Sequence, residues 1–225
     1  MSSKTLTTSR KYTSSNYNTS QSSAYTTTGL RQYFDAYLSS INSTISTSSW
    51  TDQMGYGNMT FTGSPTITTS LIKKNNYVTF NGTSQYGTGL VTTNLSTFTF
   101  YCWVKSTSFA DNASYYIKPS ITGFTSSGTS SRDFGVTIGG GNAGIWSGIG
   151  TGDQTNQPTQ YNNIVSDGKW HEIAVTTSTA NGTKFYFDQV QIGSTFDVIK
   201  ATDATNNWRL GMAWGQGNYY ANFDC

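Results

Sequence analysis

Phe98-Thr99-Phe100-Tyr101-Cys102-Trp103-Val104 is the stretch that decides the fold class. In an extended chain successive side chains point to opposite faces, so Phe98, Phe100, Cys102 and Val104 share one face while Tyr101 and Trp103 share the other. Both faces are apolar. That pattern predicts a central strand of a two-sheet sandwich, buried against the opposite sheet on one side and covered by loops on the other.

Outward from this strand, short apolar runs alternate with turn clusters. Asn58 to Thr62, Tyr77 to Asn81, Thr97 to Lys105, Phe134 to Ile138, Trp170 to Thr177, Lys184 to Asp188 and Trp208 to Met212 read as strands. Between Trp170 to Thr177 and Lys184 to Gly193 lies Ala180-Asn181-Gly182-Thr183, and Asn-Gly supplies the positive backbone angles of a hairpin turn. The run Gly139-Gly140-Gly141-Asn142-Ala143-Gly144 has the glycine content of a phosphate loop but neither its lysine nor a following helix, so a β-turn is expected.

Composition agrees with an all-β chain. Of 225 residues only 11% are charged and 15% are aromatic, and the one glutamate is Glu172. Strong helix formers are scarce, while Ser, Thr, Asn and Gly, which favour strands and turns, are abundant. A net charge of +2 with scattered Lys and Arg is too weak to neutralise a phosphate backbone, so nucleic acid is not the expected partner. No apolar run approaches the roughly 20 residues that span a bilayer, so membrane insertion is not expected.

More than half of residues 1–28 are Ser or Thr. Such a segment buries too little apolar surface to offset the entropy of ordering, and reads as an arm that orders on a partner subunit or a sister copy. Residues 29–225 read as the folded sandwich. Cys102 and Cys225 form no metal-ligand spacing, and the sequence leaves open whether they are bridged.

Three runs carry a family likeness. Phe98 to Lys105 (FTFYCWVK), Asp167 to Thr176 (DGKWHEIAVT) and Lys184 to Ser194 (KFYFDQVQIGS) resemble successive strands of the concanavalin A-like, or laminin G-like, lectin/glucanase jelly rolls. Gln189 stands where that pattern has glycine, so an altered turn is expected there. Upstream, Leu30 to Ala36 (LRQYFDA), Trp50 to Thr60 (WTDQMGYGNMT) and Tyr77 to Tyr86 (YVTFNGTSQY) resemble the version of this domain found in structural proteins of bacteriophages and large DNA viruses. The likeness covers residues 29 to 223 and implies an antiparallel two-sheet jelly-roll sandwich. In the family the domain closes with a further strand, and this chain stops at Asn222-Phe223-Asp224-Cys225, where that strand is expected to begin. The chain is therefore expected to be a fragment of a longer polypeptide, lacking the rest of its last strand, since an unfinished sheet would otherwise present an exposed edge.

Catalysis is not expected. Glycoside hydrolysis needs two carboxylates about the scissile bond, and Glu172 has no partner at the family's E-x-D-x-x-E spacing, while Asp35, Asp52, Asp111, Asp133, Asp153, Asp167 and Asp188 show no paired spacing. A Ser-His-Asp relay would have to use the single histidine, His171, which the strand pattern explains structurally. No calcium-loop spacing is present, and neither a metal nor another cofactor is expected. For sugar binding the suitable chemistry is aromatic rings beside amide and backbone hydrogen-bonding groups. Trp214, Asn218, Tyr219 and Tyr220 offer it in one glycine-rich loop, with Trp146 as a further aromatic candidate.

The resemblance, the polar surface and the arm together imply a virion structural component on the outer surface of a particle. It would be a decoration, cement or fibre protein whose partners are capsid or fibre subunits, with self-association through the arm as a further contact. The alternative is a lectin-like adhesin that recognises host-surface glycans.

Overall fold

A computed structural model describes residues 32–36, 45–69, 76–90, 97–109, 119–124, 134–149, 152–156, 164–178, 180–196, 207–212 and 220–225. The expected arm, residues 1–28, lies outside them. Among the described residues there are fifteen strands: β1 Ser49–Trp50, β2 Met59–Thr62, β3 Thr66–Thr68, β4 Tyr77–Asn81, β5 Tyr86–Leu90, β6 Phe98–Ser106, β7 Ser120–Phe124 and β8 Phe134–Gly139. They continue with β9 Asn142–Ile149, β10 Gly152–Asn156, β11 Trp170–Ser178, β12 Gly182–Phe187, β13 Val190–Phe196, β14 Asn207–Leu210 and β15 Asn222–Asp224. They form an eight-stranded sheet in the order β1-β2-β5-β14-β7-β8-β9-β10 and a seven-stranded sheet in the order β13-β12-β11-β6-β15-β4-β3. Every ladder pairing is antiparallel, so the chain is the expected all-β jelly-roll sandwich.

Alternation sends one face of each strand into the space between the sheets. Met59, Phe61, Ile121, Val136, Ile138, Ile145 and Leu210 enter it from the larger sheet, and Val78, Phe80, Val104, Ile173, Val175, Phe185 and Phe223 from the smaller. Phe80 stacks on Phe223 at 5.2 Å, and Phe61 meets Phe80 edge-on across the sheets at 5.9 Å. Each such ring contributes about 1.5–3 kcal/mol of hydrophobic stabilisation relative to exposure.

β6 is the central strand of the smaller sheet, as its apolar character predicts, but one expectation about it is corrected. Its second face is not covered: Tyr101 is 52% exposed and Trp103 49%. Lys105 continues the same face in the i, i+2 series, and that charge is the sequence signal of a solvated side.

Asn222–Asp224 itself forms β15 and pairs with β4 on one side and β6 on the other, so the sheet is continuous at that point.

Three turns are marked by positive backbone angles. β11 and β12 close as a hairpin at Ser178↔Gly182, where Gly182 has φ 65°. β8 and β9 turn through Gly140 and Gly141, both at positive φ. β12 and β13 turn through Asp188 and Gln189 at φ 48° and 69°, so Gln189 adopts the left-handed conformation that the family pattern assigns to glycine.

The W-x-D segment after β1 is organised by a buried carboxylate. Asp52 Oδ1 accepts the backbone N–H groups of Tyr33 (2.8 Å) and Met54 (3.0 Å), and Oδ2 those of Tyr56 (2.8 Å) and Gly57 (3.2 Å). Four donors converging on one ion pin the 52–57 turn to the segment at Tyr33.

Candidate functional site

The uncovered face of β6 belongs to a strip of aromatic side chains on the outer side of the seven-stranded sheet. Tyr101 and Trp103, two residues apart, lie about 7 Å apart along the strand. The next residue on that face is Lys105, whose register partner on β11 is Trp170, 42% exposed. Tyr101, Trp103 and Trp170 therefore stand as three successive stations spanning about 14 Å along the strand direction.

The far end of the strip is locked by polar contacts. Tyr77 on β4 packs edge-on against Trp170 at 5.7 Å, and the Lys105 ammonium sits over both rings, 5.7 Å from Tyr77 and 6.0 Å from Trp170. Asp224 on β15 accepts from Lys105 Nζ at 2.9 Å and from the Thr79 hydroxyl at 2.6 Å. The Asp224 hydrogen bond and charge hold the Lys105 ammonium above its ordinary range. Such contacts restrict the rings before any ligand arrives, which lowers the entropy cost of binding.

The histidine follows Trp170 in β11 but belongs to the opposite face of the sheet, in register with the buried Val104. His171 Nδ1 is 2.8 Å from Asp188 Oδ2, Nε2 is 3.0 Å from Asp167 Oδ1, and the ring stacks on Phe187 at 4.7 Å. Burial alone would lower its pKa, but the two carboxylate hydrogen bonds outweigh that and raise it, while the His171 and Lys169 contacts hold Asp167 well below the usual carboxylate range. With a carboxylate on each ring nitrogen, the imidazole has no nitrogen left to take a proton from a serine nucleophile. Asp188 Oδ1 also accepts the Glu172 backbone N–H, and Gln189 donates to the Glu172 carboxylate at 3.1 Å. The sequence showed no paired aspartates, yet folding brings Asp167 and Asp188 to the two sides of one ring. They are 21 residues apart in the chain and meet only because β11, β12 and their turns are adjacent.

The residues singled out for sugar binding divide differently. Tyr220 is placed: its backbone bridges to Ser120 and Met212, and its ring lies 6.1 Å from that of Tyr86 on β5. Trp146 stands on β9, paired with Gly135 and Thr155. Trp214, Asn218 and Tyr219 lie outside the described residues. Arg209 and Tyr86, beside Tyr220, were not anticipated, because a lone Arg and a lone Tyr in separate strands carry no motif.

Cys102 and Cys225 are both free. Burial pushes the Cys102 thiol up to about 12 and raises that of Cys225 well above its ordinary value, so both remain protonated near neutral pH. Among the described residues no group of three or more His, Cys, Asp or Glu side chains is placed to hold a metal ion.

Residues 72–224 match the family model described as the concanavalin A-like lectin/glucanases superfamily. No curated protein matches the sequence. Among solved structures the chain is similar to domain 4 of AbnA, an extracellular GH43 arabinanase of Geobacillus stearothermophilus in complex with arabinotriose. That match has a TM-score of 0.56 and 17% identity, over 77% of this chain and 82% of that one. It is similar also to the binding domain of Paraclostridial Mosquitocidal Protein 1, with a TM-score of 0.56 and 13% identity over 78% of this chain and 44% of that one. The binding domain of botulinum neurotoxin serotype G matches with a TM-score of 0.53 and 14% identity, over 80% of this chain and 46% of that one. The chain thus spans under half the length of those two toxin chains, and at these identities the likeness is one of fold.

Proposed function

Because this chain belongs to the concanavalin A-like lectin/glucanase superfamily, we propose that it is a carbohydrate-binding module that holds an extended glycan along the Tyr101–Trp103–Trp170 strip without cleaving it. The observation that carries the reading is the exposure of those three rings on one sheet face, 52%, 49% and 42%. Contiguous exposed aromatic surface marks an interaction site, and stations about 7 Å apart suit a chain of pyranose rings that presents a C–H face to each. Non-cleavage is supported by the lone glutamate, whose carboxylate is engaged by Gln189, and by an imidazole occupied on both nitrogens. The glycan-bound arabinanase domain supports the reading by analogy of fold.

The module is proposed to work on the outer surface of a virus particle, joined to capsid or fibre subunits through residues 1–28. Support comes from the likeness of Leu30 to Ala36 and Trp50 to Thr60 to viral structural domains and from the Ser/Thr-rich composition of the arm.

Titration of the whole chain with linear neutral oligosaccharides of three to six sugars, by calorimetry, tests the strip. Trp103→Ala and Trp170→Ala are each expected to weaken binding roughly tenfold, the loss of one aromatic anchor worth about 1.4 kcal/mol. Binding that survives in the double variant, or no binding to any linear glycan, would reassign the strip to contact with another protein.

A further inference from the structure

Arg209 lies on β14, register-paired with Thr88 of β5 and Gly123 of β7. Its neighbour Leu210 enters the core, so Arg209 faces away from it, on the outer side of the eight-stranded sheet and on the opposite sheet from the aromatic strip. Its guanidinium carbon stands 5.2 Å from the centre of the Tyr86 ring, and among the described residues Nη1 meets the Met212 sulfur at 3.8 Å. Nε is cut off from solvent with no hydrogen-bond partner. Among the described residues no carboxylate forms an ion pair with it.

A guanidinium is always charged and presents its N–H donors as a planar fork that matches a carboxylate or sulfate with two parallel hydrogen bonds. Holding one half-buried with a donor unmet is unfavourable for the folded protein alone. The second observation is what flanks it. The Tyr86 ring lies against the guanidinium, and the Tyr220 ring lies 6.1 Å from Tyr86 at an interplanar angle of 32°. A guanidinium charge and two phenol rings therefore meet at one place.

We propose that Arg209, Tyr86 and Tyr220 form a second recognition site, which binds an anionic group, carboxylate or sulfate, carried on a sugar ring. The fork takes the anion while a tyrosine ring takes the apolar face of the sugar. This site does not depend on the aromatic strip.

Calorimetric titration of the full chain with sialyllactose, lactose 3′-sulfate and lactose tests it, with wild type, Arg209→Met and the Trp103→Ala/Trp170→Ala double variant. At least one acidic probe is expected to bind ten or more times tighter than lactose. The preference should vanish in Arg209→Met and persist in the double tryptophan variant. Which probe wins separates carboxylate from sulfate. Arg209→Met should unfold at the same temperature as wild type or higher, because the half-buried charge is gone. Equal affinity for all three sugars, including none, overturns the proposal. So does an acid preference that survives in Arg209→Met, or a fall in its Tm of more than about 5 °C, which would make Arg209 a structural residue.

Discussion

Replacing Asp52 by asparagine changes one atom and tests how the turn after β1 is held. The carboxylate accepts four backbone N–H groups, two on each oxygen, and is 3% exposed. Hydrogen bonds to a charged acceptor contribute about 1.5–3 kcal/mol each, against about 1 for neutral ones. Asparagine keeps one oxygen, so two bonds survive in weakened form, and its NH2 group then faces the other two donors. Losing those two bonds and leaving their donors unmet, with some relaxation of the exposed flank at Tyr56, amounts to about 4 kcal/mol. For a chain of this length 1 kcal/mol moves Tm by about 2–4 °C, so thermal unfolding should occur roughly 10 °C lower. Urea titration should show the same loss in midpoint with an unchanged slope. A Tm within about 2 °C of wild type would refute the reasoning, since it would mean that water satisfies these donors as well as Asp52 does.

Stability should depend on pH through His171, the only histidine. Its folded pKa is raised, so its contribution is fully present below about 6.5 and is lost as pH rises through the folded value, when a neutral ring can donate to only one of its two carboxylates. Asp167 is lowered, so its contribution is present above about 3.8 and is lost as pH falls further. Thermal unfolding of wild type should therefore weaken from pH 6 to pH 9, and His171→Phe should flatten that slope; an unchanged slope would remove His171 as its source. Deleting residues 1–28 should abolish incorporation into particles while leaving Tm and oligosaccharide affinity unchanged, and normal incorporation of the truncated chain would end the attachment role proposed for the arm.

The outline of the sandwich was legible because it depends on local patterns. Each of the seven runs read as strands is one, since period-two alternation and β-branched or aromatic residues report directly on a half-buried pleated surface. β5 escaped notice because Gly87 and Gly89 break its pattern. Their absent side chains are required by packing across the sheet: a Cβ at Gly87 would lie 2.2 Å from the Met59 sulfur, and one at Gly89 would lie 2.2 Å from Trp208 Nε1. That need is invisible in the strand itself. The neighbours of β15 are hidden for another reason. Three residues at the end of the chain carry little signal, and their place between β4 and β6 follows from pairing with strands more than 100 residues earlier.

The aromatic strip divides along the same line. By itself the sequence determined that Tyr101, Trp103 and Lys105 share one face of a central strand, because alternation is a property of the extended backbone. Only the tertiary structure decided that this face is open to solvent. Only the tertiary structure brought Trp170 and Tyr77 to its end, placed carboxylates on both sides of His171, and set Arg209 against the Tyr86 ring. Those outcomes depend on which strands are neighbours and what covers them, and neither is encoded within any one segment.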